Sequence, residues 1–147
     1  MKNSQVRMGA IINKLRERGC RVTPQRVAIV EVILSRCDHP SVEQLYEQVR
    51  VQFPTTSLAT VYKTVHLLKE IGELLEIGTL DGGNRYDGGK PYPHPHLVCT
   101  RCKAITDPEL PLLRELATQA ETVSGYRIIS HQLNFFGICP LCQRLNS

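Results

Sequence analysis

The 147-residue sequence predicts an α+β fold of two small domains. Apolar residues recur at helical spacing as far as Gly72, and several of these stretches begin with a capping residue. Two strand patterns around Asp81-Gly82-Gly83 then predict a β-hairpin. Beyond a glycine- and proline-rich stretch, short strand patterns and one helical pattern lie between two Cys-x-x-Cys pairs. These three observations separate a helical first domain from an α/β second domain.

Four helices are predicted in the first domain. Thr23-Pro24 supplies an N-cap and a proline at the first helical position of the second helix. Ser41 and Gln44 form a predicted capping box for the third helix. Ser57 caps the fourth helix, which ends at Gly72. The residues expected to face inward are Met8, Ile11, Ile12, Leu15, Val27, Val30, Ile33, Leu34, Val42, Leu45, Tyr46, Val49, Leu58, Val61, Val65 and Leu68.

Helices followed by a hairpin are the outline of a winged helix-turn-helix, in which one helix enters the DNA major groove. The predicted strands are 74–77 and 84–87, and the fourth helix is the candidate recognition helix because it directly precedes them. Residues 1–87 form the predicted winged-helix domain, 88–91 a hinge, and 92–147 the second domain. In the second domain 97–98 and 104–106 are predicted strands, a helix follows Pro111, and 126–138 is rich in β-formers.

Composition and charge limit the function classes. No apolar stretch is long enough to span a bilayer, and the charged N-terminus does not resemble a secretory signal, so we expect a cytoplasmic protein without a membrane partner. Between Met1 and Arg26 seven residues are basic and only Glu17 is acidic, whereas the rest has 11 basic and 13 acidic residues. This distribution suits a polyanion-binding surface, but a solvated helix face would look the same.

Four of the six cysteines predict a structural zinc site. Cys99 and Cys102 form one Cys-x-x-Cys pair, and Cys139 and Cys142 form the other. Two such pairs can complete a tetrahedral thiolate site that staples a small domain. The alternative is two independent redox dithiols, or cysteines without a shared role. Cys20 and Cys37 are isolated and are interpreted as small core residues.

Histidines and carboxylates predict a second site of different chemistry. His94 and His96 are two residues apart, so an extended strand would direct both imidazoles to one side. Asp87 and Asp107 are near in sequence and offer oxygen ligands. Mixed imidazole and carboxylate ligands suit iron(II), manganese(II) or zinc(II). The alternative is a set of ordinary surface histidines.

Taken together, these motifs resemble the ferric uptake regulator superfamily of metal-dependent bacterial repressors. The residues that carry the resemblance span nearly the whole chain and occur in family order: Arg21-Val-Thr-Pro-Gln-Arg26, His39-Pro40, Ala59-Thr-Val-Tyr62, Arg85-Tyr-Asp87, His94-Pro-His96-Leu-Val-Cys99 and Gly137-Ile-Cys139-Pro-Leu-Cys142. The resemblance implies an N-terminal winged helix, a C-terminal dimerisation domain, a homodimer bound to operator DNA, and no enzymatic activity or small-molecule substrate.

The resemblance also assigns roles to residues. Cys99, Cys102, Cys139 and Cys142 match the structural zinc site. His39, Asp87, His94, His96 and Asp107 match the regulatory site. The resemblance implies that this site binds iron(II) or manganese(II), and that zinc(II) can occupy it in purified protein. The DNA-reading residues match Tyr62 and Lys63, with Arg21 directed to the minor groove. The alternatives are a Tyr62 in the core and a merely solvated Lys63.

Several positions bear on the branch of the superfamily. Asp87 stands where zinc-sensing members have cysteine, which disfavours that branch. Asp107 favours the peroxide-sensing branch, in which bound iron(II) reacts with peroxide and oxidises its histidine ligands; the alternative is an iron-level sensor. Pro93 and Pro95 replace ligands of a second regulatory site, so His131 is expected to lack partners there.

Two hypotheses from other classes also use histidine and Cys-x-x-Cys motifs. A zinc deaminase needs an H-x-E sequence, but His96 stands where the glutamate would be. A zinc-ribbon protein that binds DNA without sensing metal would be indifferent to chelators that spare the structural zinc.

Overall fold

The structure is a computed structural model that describes residues 2–145. The chain divides into two compact units between Tyr92 and Pro93. This division lies just beyond residues 88–91, whose role as a hinge stays a prediction. Within 2–145, no helix combines the length and the apolar character needed to cross a membrane.

The N-terminal unit contains the four predicted helices with the predicted caps. They are α1 (Lys2–Glu17), α2 (Pro24–Ser35), α3 (Val42–Gln52) and α4 (Leu58–Glu70). The side chains of Thr23 and Ser57 each accept a hydrogen bond from the backbone three residues later. Ser41 and Gln44 make both hydrogen bonds of the capping box. Local sequence therefore determines where α2, α3 and α4 begin.

The core of this unit is formed by one apolar face from each helix. Ile11, Leu15, Ile29, Val30 and Leu45 are almost completely buried. This packing confirms most of the predicted inward-facing residues. It supplies the main stabilising contribution, because each fully buried side chain of this size contributes about 1.5–3 kcal/mol.

Two residues of α4 differ from the predicted pattern. Leu58 was expected to face inward, but it is the first residue of the helix and remains 37% exposed. Thr64, which an apolar pattern omits, is fully buried. Its hydroxyl donates to the carbonyl oxygen of Thr60 at 2.9 Å, so burial leaves this group hydrogen-bonded.

The predicted hairpin follows α4. Strand β1 (Leu75–Gly78) pairs antiparallel with β2 (Asn84–Asp87), and Gly82 adopts the positive φ that the connecting turn requires. Tyr86 directs its ring into the helical core, where burial raises the pKa of its phenol to about 12. Its hydroxyl donates to Glu76 on the neighbouring strand. The hairpin is thus anchored to the helices by an aromatic side chain.

Strand β2 is also tied to the connection between α2 and α3. The backbone N–H of Tyr86 donates to the carbonyl oxygen of Pro40 at 2.9 Å, and the Arg85 side chain donates to the carbonyl oxygen of His39. At the end of β2, Gly88 approaches α2 so closely that a Cβ atom would lie 2.4 Å from Cγ2 of Ile33. These contacts fix the 39–40 segment and the end of β2 against the helical core.

The C-terminal unit is a small α+β arrangement. It contains β3 (His96–Cys99), β4 (Ile105–Thr106), α5 (Leu113–Ser124), β5 (Asn134–Gly137) and α6 (Pro140–Arg144). Strand β3 lies at the centre of the sheet, antiparallel to β4 and parallel to β5. Only 134–137 of the predicted β-rich segment 126–138 forms a strand, because only those residues pair with β3. The α+β fold class is therefore confirmed.

Large apolar side chains are exposed on this second unit. None of the twelve residues of α5 is buried, and Leu112, Leu116 and Val123 are each more than half exposed. On β5, Phe135 and Phe136 are also exposed. An exposed apolar surface of this kind is typical of a protein interface.

Candidate metal centres and nucleic-acid surface

The four predicted zinc ligands lie together in the C-terminal unit. One sulfur from each of Cys99, Cys102, Cys139 and Cys142 lies within 4.8 Å of the others, and all are free thiols. The sulfurs of Cys102 and Cys139 are 3.8 Å apart. Ligands at the Zn–S distance of about 2.3 Å form a tetrahedron with edges of about 3.8 Å. The spacing therefore fits one zinc ion.

Two tight turns direct these sulfurs to one point. Cys99 ends β3, and Lys103 adopts a positive φ of 64° that closes the turn after Cys102. Cys139 immediately precedes α6, whose first residue is Pro140 and whose interior contains Cys142. The backbone N–H of Cys142 points to the sulfur of Cys139 at 3.5 Å. Each Cys-x-x-Cys pair thus presents both sulfurs on the same side of its turn.

The thiols are arranged for a cation. The pKa of Cys99 is lowered to about 5, chiefly by the backbone N–H of Cys139. The pKa of Cys142 is raised to about 12, chiefly by hydrogen bonding to the sulfur of Cys139, with burial adding to the effect. Four sulfurs this close repel one another when all are ionised. A divalent cation would stabilise all four as thiolates, so the donor set fits zinc.

In the N-terminal unit, His39 and Asp87 form a buried pair. Nε2 of His39 lies 3.2 Å from Oδ2 of Asp87, and both side chains are less than a tenth exposed. The other carboxylate oxygen of Asp87 accepts hydrogen bonds from the backbone N–H groups of Gly89 and Lys90, each at 2.9 Å. This arrangement fixes the carboxylate so that one oxygen is directed toward His39.

In the C-terminal unit, three further predicted ligands lie together. Nε2 of His94 is 3.5 Å from one oxygen of Asp107, and Nε2 of His96 is 3.6 Å from the other. The two imidazole rings have centroids 4.3 Å apart. Ligands bound at about 2.1 Å to one ion lie roughly 3.0–3.4 Å from each other. The spacings in both units are therefore close to those of ligands that share an ion.

Asn134, which contacts the second ring nitrogen of His96, is not predicted by any sequence motif. Nδ1 of His96 lies 3.1 Å from Oδ1 of Asn134. These residues are 38 positions apart, and only the register of β3 against β5 brings them together. A local motif cannot reveal such a contact.

Other candidate residues have different environments. Cys37 was interpreted as a core residue, but it follows the C-cap of α2 and is exposed. Cys20 is partly buried and packs against the core, as expected. Nε2 of His131 is buried and has no hydrogen-bond partner within residues 2–145. No cluster of three or more potential metal ligands in that range includes His131.

The predicted DNA-reading residues lie on exposed parts of the N-terminal unit. Tyr62 is 47% exposed, which contradicts a core position, and its hydroxyl donates to Glu43 at 3.0 Å. This hydrogen bond to a carboxylate raises the pKa of Tyr62. Arg21, Arg26 and Lys63 line one pocket of about 360 Å³ beside the N-termini of α2 and α4. Basic side chains next to helix N-termini suit a phosphate group.

The basic charge of the first 26 residues is only partly available to this surface. Arg7 and Lys14 both pair with Glu73, and Arg18 lies 3.7 Å from Glu70. The side chain of Lys2 lies outside the described part of the chain. The positive surface is therefore smaller than the sequence charge predicts.

Known proteins are similar to this chain in sequence and in fold. The model of the ferric uptake regulator family matches residues 17–136. The peroxide-responsive repressor PerR of Staphylococcus aureus is 33% identical over 132 residues, which are 90% of this chain and 88% of that protein.

Solved structures of two related proteins have a similar fold. The Helicobacter pylori ferric uptake regulator superimposes with a TM-score of 0.81 at 23% identity, covering 92% of this chain and 93% of that chain, which shows the fold. PerR from Streptococcus pyogenes, solved to explain peroxide sensing, gives a TM-score of 0.52 at 30% identity, covering 92% of each chain.

The cysteine cluster predicts a zinc-dependent stability. Cys99→Ser should markedly lower the thermal midpoint and the zinc content, because binding free energy at a structural site contributes directly to folding. Elemental analysis should find one tightly held zinc per chain of the parent. Cys37→Ser is the matched control, since Cys37 lies outside the cluster, and it should retain both properties. A zinc-free parent, or a Cys99→Ser protein as stable as the parent, would contradict the site.

Proposed function

Because the chain belongs to the ferric uptake regulator family, we propose that it is a metal-dependent transcriptional repressor that binds operator DNA as a homodimer and senses peroxide through bound iron(II). Manganese(II) is the alternative corepressor. The observation that carries this proposal is the presence of two donor sets of different chemistry. One contains four cysteine thiols. The other donors are histidines and carboxylates, with His39 and Asp87 in the first unit and His94, His96 and Asp107 in the second. As a partner of chromosomal DNA, the protein would act in the cytoplasm.

We infer that His39, Asp87, His94, His96 and Asp107 bind one regulatory ion. His39 and Asp87 are a pair, and a pair rarely completes a tight site for a divalent cation. His94, His96 and Asp107 supply three donors in the second unit. An ion that takes ligands from both units would favour the relative arrangement in which all five meet. Metal binding would then be coupled to DNA binding, because one arrangement of the units suits both ligands.

The contacts around His39 explain how such an ion would act on the whole DNA-binding unit. The carbonyl oxygens of His39 and Pro40 accept hydrogen bonds from Arg85 and Tyr86 of β2. Ser41 follows directly and caps the N-terminus of α3. An ion that binds His39 and Asp87 would therefore move the hairpin and the helices together rather than rearrange one loop.

The regulatory ligands suit iron(II) and manganese(II), although zinc(II) would also fit them. When bound, iron(II) supplies the electrons that reduce peroxide, and manganese(II) supports this chemistry poorly. His39 and His94 are largely buried, with side chains 8% and 10% exposed, so an oxidant generated beside them would meet little solvent. Oxidation of either imidazole would remove a donor and release the DNA.

DNA would be read by helix α4. The ring of Tyr62 would contact thymine methyl groups, and Lys63 can reach a guanine edge or a phosphate. Arg21 was expected in the minor groove. Its position in one pocket with Arg26 and Lys63 supports a phosphate contact as well.

The homodimer would form through the second unit. Its exposed apolar residues on α5 and β5 provide a surface that a second copy would cover. The four-cysteine site stabilises the strands that carry this surface, so loss of zinc would also weaken the dimer.

Tyr62→Ala should weaken binding to a selected operator more than binding to random duplex, because base contacts carry specificity whereas phosphate contacts act on any sequence. The operator can be selected from randomised duplexes with manganese-loaded parent protein. Fluorescence anisotropy then measures both affinities. Arg26→Gln is the comparison, and it should weaken both duplexes and reduce the salt dependence by about one phosphate contact. Equal losses on both duplexes for Tyr62→Ala would contradict base reading.

His39→Ala should abolish the increase in operator affinity on adding manganese(II) or iron(II), while zinc content and dimerisation stay normal. Even a change outside the ligand shell lowers metal affinity by about 10–100-fold, so loss of a ligand should exceed this. The matched control is His131→Ala, which should change little, since His131 belongs to no cluster of three or more potential metal ligands within residues 2–145. A His39→Ala protein with a full metal response would exclude the proposed coupling.

Peroxide distinguishes the two sensing hypotheses. Iron-loaded parent protein should lose operator binding after peroxide treatment, and mass spectrometry should find added oxygen on His39 or His94. The manganese-loaded protein should resist the same treatment. An iron-loaded protein unaffected by peroxide would favour an iron-level sensor, and DNA binding insensitive to every regulatory metal would favour a zinc-ribbon protein without sensing.

A further inference from the structure

The contact between His96 and Asn134 is a direct cross-strand pair. His96 begins β3 and Asn134 begins β5, and the parallel register places the two residues opposite each other. The backbone N–H of His96 also donates to the carbonyl oxygen of Leu133 at 3.1 Å. Main chain and side chain of His96 are therefore both held by the segment 133–134.

The chemistry of this contact determines which ring nitrogen of His96 carries the proton. The amide oxygen of Asn134 can only accept a hydrogen bond, so Nδ1 of a neutral imidazole must donate to it. A neutral imidazole has a single N–H group, and its other nitrogen then has a lone pair. In His96 that nitrogen is Nε2, which faces Asp107 at 3.6 Å, a separation beyond hydrogen-bond range.

The cysteine cluster fixes the register that creates this pair. Cys99 lies opposite Gly137 at the other end of the same two strands. There the backbone N–H of Thr100 donates to the carbonyl oxygen of Gly137 at 2.8 Å, and the backbone N–H of Cys139 points to the sulfur of Cys99 at 3.4 Å. A slip of one residue would move every side chain of β5 to the other face. It would therefore remove Asn134 from His96.

We propose that Asn134 is a positioning residue for the regulatory metal, because its amide oxygen holds His96 as the Nδ1-protonated tautomer and leaves Nε2 as the donor atom. This inference rests on the proposed function only in taking His96 as a ligand. Asn134 itself does not touch the ion. Such partners of ligand histidines typically change metal affinity by about 10–100-fold.

The test compares two substitutions at one position. Asn134→Leu keeps the branched side-chain shape and removes the acceptor, whereas Asn134→Asp keeps an acceptor. The control is Gln132→Leu, which replaces an exposed amide of the same segment. For each full-length, zinc-loaded protein, long-range proton–nitrogen NMR of the histidine rings reports the tautomer of His96 without regulatory metal. Titration with manganese(II) then measures the affinity of the regulatory site.

The parent, Asn134→Asp and Gln132→Leu proteins should each show a single Nδ1-protonated His96. Asn134→Leu should show the other tautomer or a mixture, and it should bind manganese(II) about 10–100-fold more weakly with unchanged zinc content. Asn134→Asp should bind at least as tightly as the parent, since a carboxylate acceptor makes the ring a stronger donor.

An unchanged tautomer in Asn134→Leu would overturn the proposal, even if manganese(II) affinity fell, because the loss would then have another cause. A changed tautomer with unchanged affinity would overturn the positioning role as well. A parent protein that binds no manganese(II) or iron(II) would contradict the proposed function instead. The NMR comparison on zinc-loaded protein without regulatory metal would still decide whether Asn134 sets the tautomer.

Discussion

The parallel pairing of β3 with β5 is the constraint on which the second unit depends. The two strands are more than 30 residues apart in sequence, and between them they contribute to both kinds of candidate metal site. At one end Cys99 lies beside the turn that leads to Cys139, and at the other end His96 lies beside Asn134. A thiolate–zinc bond is strong enough to fix this register in a unit with little apolar core. The same register places His96, a proposed ligand of the regulatory ion, beside Asn134.

In the first unit, hydrogen bonds and the helical core hold the backbone around His39 in place. His39 lies in a turn, where a side chain is poorly fixed by local structure alone. Hydrogen bonds from Arg85 and Tyr86 hold its backbone, and the ring of Tyr86 is in turn buried in the helical core. The core therefore holds His39 and Asp87 in place before any ion binds. If this pair binds the regulatory ion as proposed, its existing order would reduce the conformational entropy lost on binding.

Features governed by neighbouring residues could be predicted from the sequence. The caps of α2, α3 and α4, the hairpin and the two Cys-x-x-Cys turns each depend on a few consecutive residues. The spacing of His94 and His96 and the nearby aspartates indicated the ligand types of the second site, whereas His39 was assigned only through the family resemblance. Features set by long-range packing could not be predicted from the sequence. They include the exposure of Leu58, the burial of Thr64 and the pairing of Arg7 with Glu73. No local pattern encodes the contact between Asn134 and His96, because strand register is set by the whole sheet.

Strand geometry would also allow the two proposed metal sites to share β3 without interfering. His96 and Cys99 are three residues apart, so their side chains leave an extended strand on opposite faces, with Cα atoms about 10 Å apart. No ligand of one set can then swing across to the other. Thiolates favour zinc, whereas the imidazole and carboxylate set accepts harder ions such as iron(II) and manganese(II). The positions of the ligands and their donor chemistry both keep the two sites separate. One ion can therefore remain in the thiolate site as part of the fold while the other exchanges, which a repressor that responds to metal or peroxide requires.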